Sequence, residues 1–216
     1  LIMALNINGT TGISGVDGSV SAPALTGTDS NTGITFPSAD TIKFSTGGVE
    51  RMAITNSGIT GISGGKFSSY AIICDQKGSN VDGGTFTSGD WRHRDLNTEI
   101  SDSDGIVSIS SNLFTLQAGT YLILASATGF MVGRHQIRLY NNTDSAVAAY
   151  GSSEYSNGSH HMGTRSFLQT RIVISGAKAF KIEHRSENTV NTEGFGVAND
   201  WSSFNQFAQV EIYKES

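Results

Sequence analysis

From about residue 66 onward, apolar and polar positions alternate in short runs, and one stretch breaks the alternation. Tyr121 to Ala127 reads Tyr-Leu-Ile-Leu-Ala-Ser-Ala, an almost unbroken apolar run. It follows a short alternating segment with Phe114 and Leu116 on one face and a turn at Gln117-Ala118-Gly119. A strand without a polar face has to be covered on both sides. A second sheet supplies one cover. The other is either a further copy of the chain or a long loop laid over the strand.

Around this run the pattern predicts strands at 70–74, 84–91, 106–109, 113–116, 120–128, 135–140, 146–150, 166–174, 179–184 and 207–213. Ile137 and Leu139 oppose Arg134, Gln136 and Arg138, and Phe180, Ile182 and His184 oppose Lys181 and Glu183. Ala208, Val210 and Ile212 oppose Gln209 and Glu211 in the same way. Helical periodicity is nearly absent. Short strands separated by polar turns predict an all-β fold, either a β-sandwich or a jelly roll.

Residues 1–65 follow another pattern. Thr11-Gly-Ile-Ser-Gly15 recurs as Thr60-Gly-Ile-Ser-Gly64, and Asn31-Thr-Gly-Ile-Thr35 is echoed by Asn56-Ser-Gly-Ile-Thr60. Single apolar residues between glycines are too thin to make a core of their own. Such units stack on neighbours, wrap with copies from other chains, or remain a flexible linker. Residues 40–62 are more definite. Ile42 and Phe44 alternate on one face, Gly47-Gly48 turns the chain, and Met52 and Ile54 alternate on the return. Asn56-Ser57-Gly58 turns again and leads to Ile59 and Ile62. This strand, Thr-Gly-Gly, Glu50-Arg51-Met52, an Ile strand and Asn-Ser-Gly resemble a hairpin unit widespread in phage tail fibres and related virion appendages.

The order of features after Lys66 carries a second resemblance. An early apolar strand is followed by Asn112-Leu-Phe-Thr115 and Ala118-Gly-Thr-Tyr121 leading into the long central strand. Leu139-Tyr-Asn-Asn142, Ile174-Ser-Gly176, Phe180-Lys-Ile-Glu-His184 and a final Phe207-x-x-Val-x-Ile212 strand come next. In order and length this is similar to the globular heads of the tumour necrosis factor and complement-subcomponent family. That resemblance implies a jelly-roll head and assembly as a homotrimer. The collagen stalk of the animal members is missing, and the fibre-like segment stands in its place. Two domains are expected: 1–65, an attachment or shaft segment with β-hairpin repeats, and 66–216, the head. Trimerisation would cover the outer face of the central strand, with Tyr121, Ile123, Ala125 and Phe207 as its expected core.

Composition narrows the function. The 216 residues are 37% hydrophobic and 15% charged, with 26 glycines and no Gly-X-Y period. A net charge of -5 gives no field for nucleic acid. The basic run Trp91-Arg92-His93-Arg94 lies between Asp90 and Asp95 and reads as a solvated strand end. The single Cys74 reads as a small core residue. No run approaches the roughly 20 apolar residues of a membrane helix, so no membrane insertion is expected. Leu1-Ile-Met-Ala-Leu5 lacks the charged start of a secretory leader, which predicts no secretory route.

Candidate chemistry is sparse. There is no phosphate-binding Gly-x-x-x-x-Gly-Lys, no Gly-x-Ser-x-Gly elbow and no zinc-type cysteine spacing. His160 and His161 are adjacent and splay apart, which predicts no metal there. Asp102-Ser-Asp-Gly105 begins like a calcium loop but lacks the closing glutamate, and reads as a turn. Neither metal nor cofactor is expected, and no enzyme activity. What remains is recognition of a host-surface glycan or protein. Trp91 and Arg92, Tyr155 with His160 and His161, and Trp201 are the loop candidates, since sugar binding uses an aromatic platform with polar neighbours. The expected protein is a phage virion component assembled in the host cytoplasm. It is read as a trimeric fibre or knob, contacting other virion proteins through 1–65. The alternatives are a capsid decoration protein, a glycan-cleaving tailspike and a secreted trimeric ligand.

Overall fold

The computed structural model describes residues 6–8, 12–14, 17–61 and 67–215. The chain divides into two compact units, Leu1–Gly65 and Lys66–Ser216. Thr11, Gly15 and 62–64, which belong to the repeated Thr-Gly-Ile-Ser-Gly motif and include Ile62, lie outside the described residues.

The first unit is built from small antiparallel sheets. β1 (Asn6–Asn8) pairs with β2 (Gly12–Ser14), and β3 (Gly18–Ser19) pairs with β4 (Ala22–Pro23). A five-stranded meander follows: β5 (Leu25–Thr26), β6 (Gly33–Ser38), β7 (Thr41–Thr46), β8 (Val49–Thr55) and β9 (Gly58–Thr60). The expected hairpin forms in register, with Ile42 opposite Ile54 and Phe44 opposite Met52. Gly47 and Gly48 make its turn at φ +60° and +73°, a left-handed pair that glycine adopts without strain. Ile34, Phe44 and Met52 form one cross-strand row, and Ile42, Ile54 and Ile59 the next. The fully buried positions of the meander are Thr35, Ser45 and Ala53, while Ile42, Ile54 and Ile59 stay exposed. Its apolar face is therefore open.

The second unit is a two-layer sandwich. One sheet runs β12 (Thr98–Ser101), β10 (Ser69–Gly78), β20 (Phe204–Lys214), β15 (Gly119–Phe130), β18 (Gly163–Ile174). The other runs β13 (Val107–Ser110), β14 (Leu113–Leu116), β19 (Lys178–Ser186), β16 (Gly133–Asn141), β17 (Ala146–Ser156), with the short β11 (Arg92–His93) also on β19. Every pairing is antiparallel. From β14 onward the chain changes sheet at each connection except the β16–β17 hairpin. That winding is a jelly roll. Among the described residues the one helical turn is a 3-10 turn at Gly158–His160.

β15 shows how the sequence makes this core. Tyr121, Ile123, Ala125 and Ala127 point inward and are at most 5% exposed. They pack with Phe114, Leu116, Ile137, Leu139, Phe180, Ile182, Val210 and Ile212 from both sheets. Leu122, Leu124, Ser126 and Thr128 point outward and are half-buried. This corrects the expected trimer core. Tyr121, Ile123 and Ala125 fill the subunit's own interior, one residue out of phase with the face that looks outward. Phe207 is not on that outer face either. It sits at an irregularity in the β10–β20 register, against Gly196, where an added Cβ would come within 2.2 Å of its ring. The outward face instead carries Tyr70, Ile72, Leu122, Leu124, Phe167, Val173 and Tyr213, with Phe167 and Val173 60% and 67% exposed.

Two strand expectations fail in instructive ways. The 84–91 stretch is a loop with a single bridge, Phe86 to Val190, because Gly84 and Gly89 take φ of +104° and +95°. Arg94, expected in a solvated cluster, is completely buried. It donates to Thr128 O and Phe195 O, lies 4.0 Å over the Phe195 ring and is 3.8 Å from the equally buried Asp75. Burial outweighs the attraction between these two. The Arg94 guanidinium is pushed down to about 10 and the Asp75 carboxyl is pushed up.

Candidate functional site

A groove of about 690 Å³ runs across the outer side of the β19–β16–β17 sheet. Alternation on β16 sets its floor. With Ile137 and Leu139 turned into the core, Arg134 and Gln136 face outward. β17 adds Glu154 and Tyr155, β19 adds Arg185, and Glu187 follows directly after it. The 84–91 loop brings Trp91 over from the side. Arg92 fixes that loop by donating to Thr87 O at 3.0 Å and Ser88 O at 3.2 Å, so it positions Trp91 and does not itself line the groove.

The aromatic platform is braced from one side. The Arg138 guanidinium lies 4.2 Å from the Trp91 ring centre and 5.1 Å from that of Tyr140, while pairing with Glu183 at 2.6 Å. Tyr150 approaches Trp91 with ring centres 6.0 Å apart. Tyr155 is 56% exposed at the groove. The polar groups are partly spent. Both Glu187 oxygens engage Arg134, one from its Nη1 at 2.7 Å and one from its backbone amide at 3.0 Å. Gln136 donates to Gly151 O, and Ser152 Oγ donates to one Glu154 oxygen. Left to a ligand are the Arg185 guanidinium, which makes only a long bond to Gly89 O, the Gln136 carbonyl and the second Glu154 oxygen.

Beneath the floor lies a buried polar knot. His135 Nδ1 is 2.9 Å from His184 Nε2, and His135 Nε2 is 2.7 Å from Thr164 Oγ1. Burial pushes His135 down to about 4, Arg94 adding to this and Glu154 opposing it. His184 is held well below the ordinary histidine range by burial, then by Arg94 and His135. Both imidazoles are therefore neutral at pH 7.

Of the six residues expected to meet a surface, the structure brings Trp91 and Tyr155 together. His160 and His161 sit on the exposed 3-10 turn, and Trp201, 90% exposed, is on the separate loop before β20. Arg134, Gln136, Arg185 and Glu187 were not singled out as a site, although the outward set on β16 was visible in the alternation. Among the described residues no group of three or more His, Cys, Asp or Glu is placed to hold a metal. Both Asp102 oxygens accept backbone amides, from Ile106 at 2.8 Å and Val107 at 3.0 Å, which makes it a turn cap. Cys74 is buried, its thiol pushed up to about 11 by burial with Asp75 adding to it, and so unreactive.

No protein-family model matches the chain, and no curated protein matches it. Solved structures do. The globular domain of zebrafish complement 1qA protein is 14% identical, over 67% of this chain and 95% of that one, with a TM-score of 0.43. Murine APRIL at pH 8.0 is 6% identical, over 68% and 98%, with a TM-score of 0.42.

Proposed function

We propose that this protein is a non-enzymatic structural component of a phage virion, a homotrimeric fibre or knob that adheres to host-surface glycan. The observation that carries the adhesive part is the Trp91–Tyr155 groove. It pairs a half-buried Trp91, one face of which is braced by Arg138, with the exposed Tyr155, and has unspent donors and acceptors around them. Sugars are held by that combination of a flat apolar surface and a few placed polar groups. Binding without cleavage is favoured by Glu187. Both of its oxygens are engaged by Arg134, so neither is free to meet a leaving group.

The trimer is supported by the outward face of β10, β20, β15 and β18, where Leu122, Leu124, Phe167, Tyr213, Tyr70 and Val173 are interleaved with Arg171, Gln169 and Glu211. The open face of the meander supports a shaft role for residues 1–65, with other virion proteins attached through it. The phage assignment itself rests on the resemblance of residues 40–62 to fibre hairpins.

Inhibition of phage adsorption by the purified protein tests the adhesive reading. Trp91→Ala and Tyr155→Ala should each reduce inhibition at least tenfold without altering the far-UV spectrum. Undiminished inhibition by the double variant refutes it. Light scattering should give three times the chain mass for the wild type and a smaller species for Leu124→Glu; a monomeric wild type refutes the trimer.

A further inference from the structure

A second concavity, of about 370 Å³, opens where β15 ends and β18 and β20 begin, beyond Leu122 and Leu124 on the same sheet. Arg165 is its cation. Nη1 donates to Ser126 Oγ at 2.6 Å and Nη2 to Gln206 O at 3.1 Å. A guanidinium has five N–H groups, so one hydrogen on each Nη and the Nε–H are left over.

Among the described residues Arg94, Arg134, Arg138 and Arg171 each have a carboxylate within 4.0 Å; Arg165 has none, as is true of Arg51, Arg92 and Arg185, but among these four burial lowers the pKa of Arg165. That cation has therefore lost water without gaining an anion. The other polar walls, from Asn199, Thr128 and Gln206, can also donate. Asn199 spends its Oδ1 on the Trp201 amide at 3.0 Å, and its side-chain N–H2 makes no bond. Thr128 lends its carbonyl to Arg94, and among the described residues its hydroxyl makes no bond. Exposed Val197 and Phe204 add an apolar wall. No acidic side chain lines the space.

The wall is also fixed in advance. Asn205 Nδ2 donates to Gly78 O and Asn199 O, both at 3.1 Å, and its Oδ1 accepts the Asn199 amide. Asp82 accepts the Ala198 amide at 2.8 Å. A loop tied at both ends loses little entropy on meeting a ligand. Trp201 projects from this loop.

We propose that this concavity is a second glycan site, selective for a sugar that carries a carboxylate. Arg165 grips the carboxylate through two N–H groups, Asn199 and Thr128 meet ring hydroxyls, and Val197 and Phe204 lie under the apolar side of the ring. The volume falls within the roughly 300–1,000 Å³ of small-molecule sites, near the size for one monosaccharide. A bare phosphate would satisfy the cation but leave the apolar wall unused. The site is separate from the Trp91–Tyr155 groove and does not depend on it.

Titration of the full chain at pH 7 with methyl glucuronide, methyl glucoside and inorganic phosphate, followed by ligand-observed NMR, tests the assignment. Methyl glucuronide should bind in a way that depends on Arg165, and methyl glucoside should show no Arg165-dependent binding at the same concentration. Arg165→Gln should weaken the glucuronide at least tenfold. Asn199→Asp, which keeps the acceptor for the Trp201 amide while placing an anion in the wall, should do the same. Trp91→Ala should leave that affinity unchanged, which separates this site from the groove. Equal binding of the neutral glycoside that Arg165→Gln removes, full displacement of the glucuronide by equimolar phosphate, or retained glucuronide binding in Arg165→Gln would overturn the proposal. So would an Arg165→Gln variant that changes the assembly mass while the wild type binds no glucuronide, since Arg165 would then serve a contact between copies.

Discussion

Lowering the pH from about 7 to about 4.5 protonates His135 in the unfolded chain well before it does so in the folded head. His135 is 3% exposed, bonded to His184 on one side and Thr164 on the other. Its folded pKa is about 4 against an ordinary 6.5. The unfolded chain therefore binds more protons between those values. Stability is complete above pH 6.5 and drains away as pH falls toward 4. At about 1.4 kcal/mol per pKa unit, linkage gives a loss of about 2 kcal/mol between pH 7 and 4.5 from His135 alone. His184 acts in the same direction, and the fixed charge of Arg94 beside it makes a second buried cation costlier still. Asp75, whose carboxyl is pushed up by burial, acts in the opposite direction as it takes its proton. Lys77, 3.2 Å from Asp75, stays charged throughout. Urea unfolding at fixed protein concentration, followed by the fluorescence of Trp91 and Trp201, measures the effect. With a slope of about 2 kcal/mol per molar, the midpoint should fall by about 1 M. His135→Gln can keep both hydrogen bonds but not the titration, and should recover most of that drop. A wild-type midpoint that does not move, or a His135→Gln midpoint that falls just as far, would refute the reasoning.

Other consequences can be measured on the same material. Gly196→Ala should cost about 2–3 kcal/mol by thermal or urea unfolding, since φ is +139° and the new Cβ would collide with Phe207 at 2.2 Å; an unchanged midpoint would contradict the packing. Arg94→Met should cost about 3–5 kcal/mol by leaving Asp75 buried beside Lys77 alone. Adding Asp75→Asn to it should restore part of the loss, and a strictly additive double variant would argue against a coupled pair. Asp102→Ala should cost about 1–2 kcal/mol by freeing the Ile106 and Val107 amides, and added calcium should leave the wild-type melting temperature where it is.

Strand existence was legible wherever alternation had something to alternate against. Ile137–Leu139 against Arg134–Gln136–Arg138 placed the groove floor, and Ile42–Phe44 against Met52–Ile54 placed the meander's hairpin. The central strand defeated the same reasoning, because Tyr121, Ile123 and Ala125 are no more apolar than Leu122 and Leu124. Its phase is marked by polar residues only near its ends, at Thr120, Ser126 and Thr128. Gly84 and Gly89 turned a promising run into a loop, which backbone geometry reveals and hydrophobicity does not. Arg94 was misplaced because its neighbours Arg92 and His93 suggested a wet cluster. Its partners, Asp75, Thr128 and Phe195, are contributed by other parts of the chain. The groove and the Arg165 concavity share that character. Each collects side chains from several strands and loops, and no window of sequence contains either.

The pairing of β10 with β20 has a practical outcome. Ser69, where the chain enters the jelly roll, sits opposite Lys214, where it leaves. The two connections to the head are thus neighbours at one sheet end, and the roll closes on itself like a bead threaded through adjacent holes. A passenger peptide or fluorophore spliced after Lys214 would emerge next to the incoming chain. Joining the two points by a short linker and reopening the chain at the Asn142–Ser145 turn should yield a circular permutant that keeps the same interior.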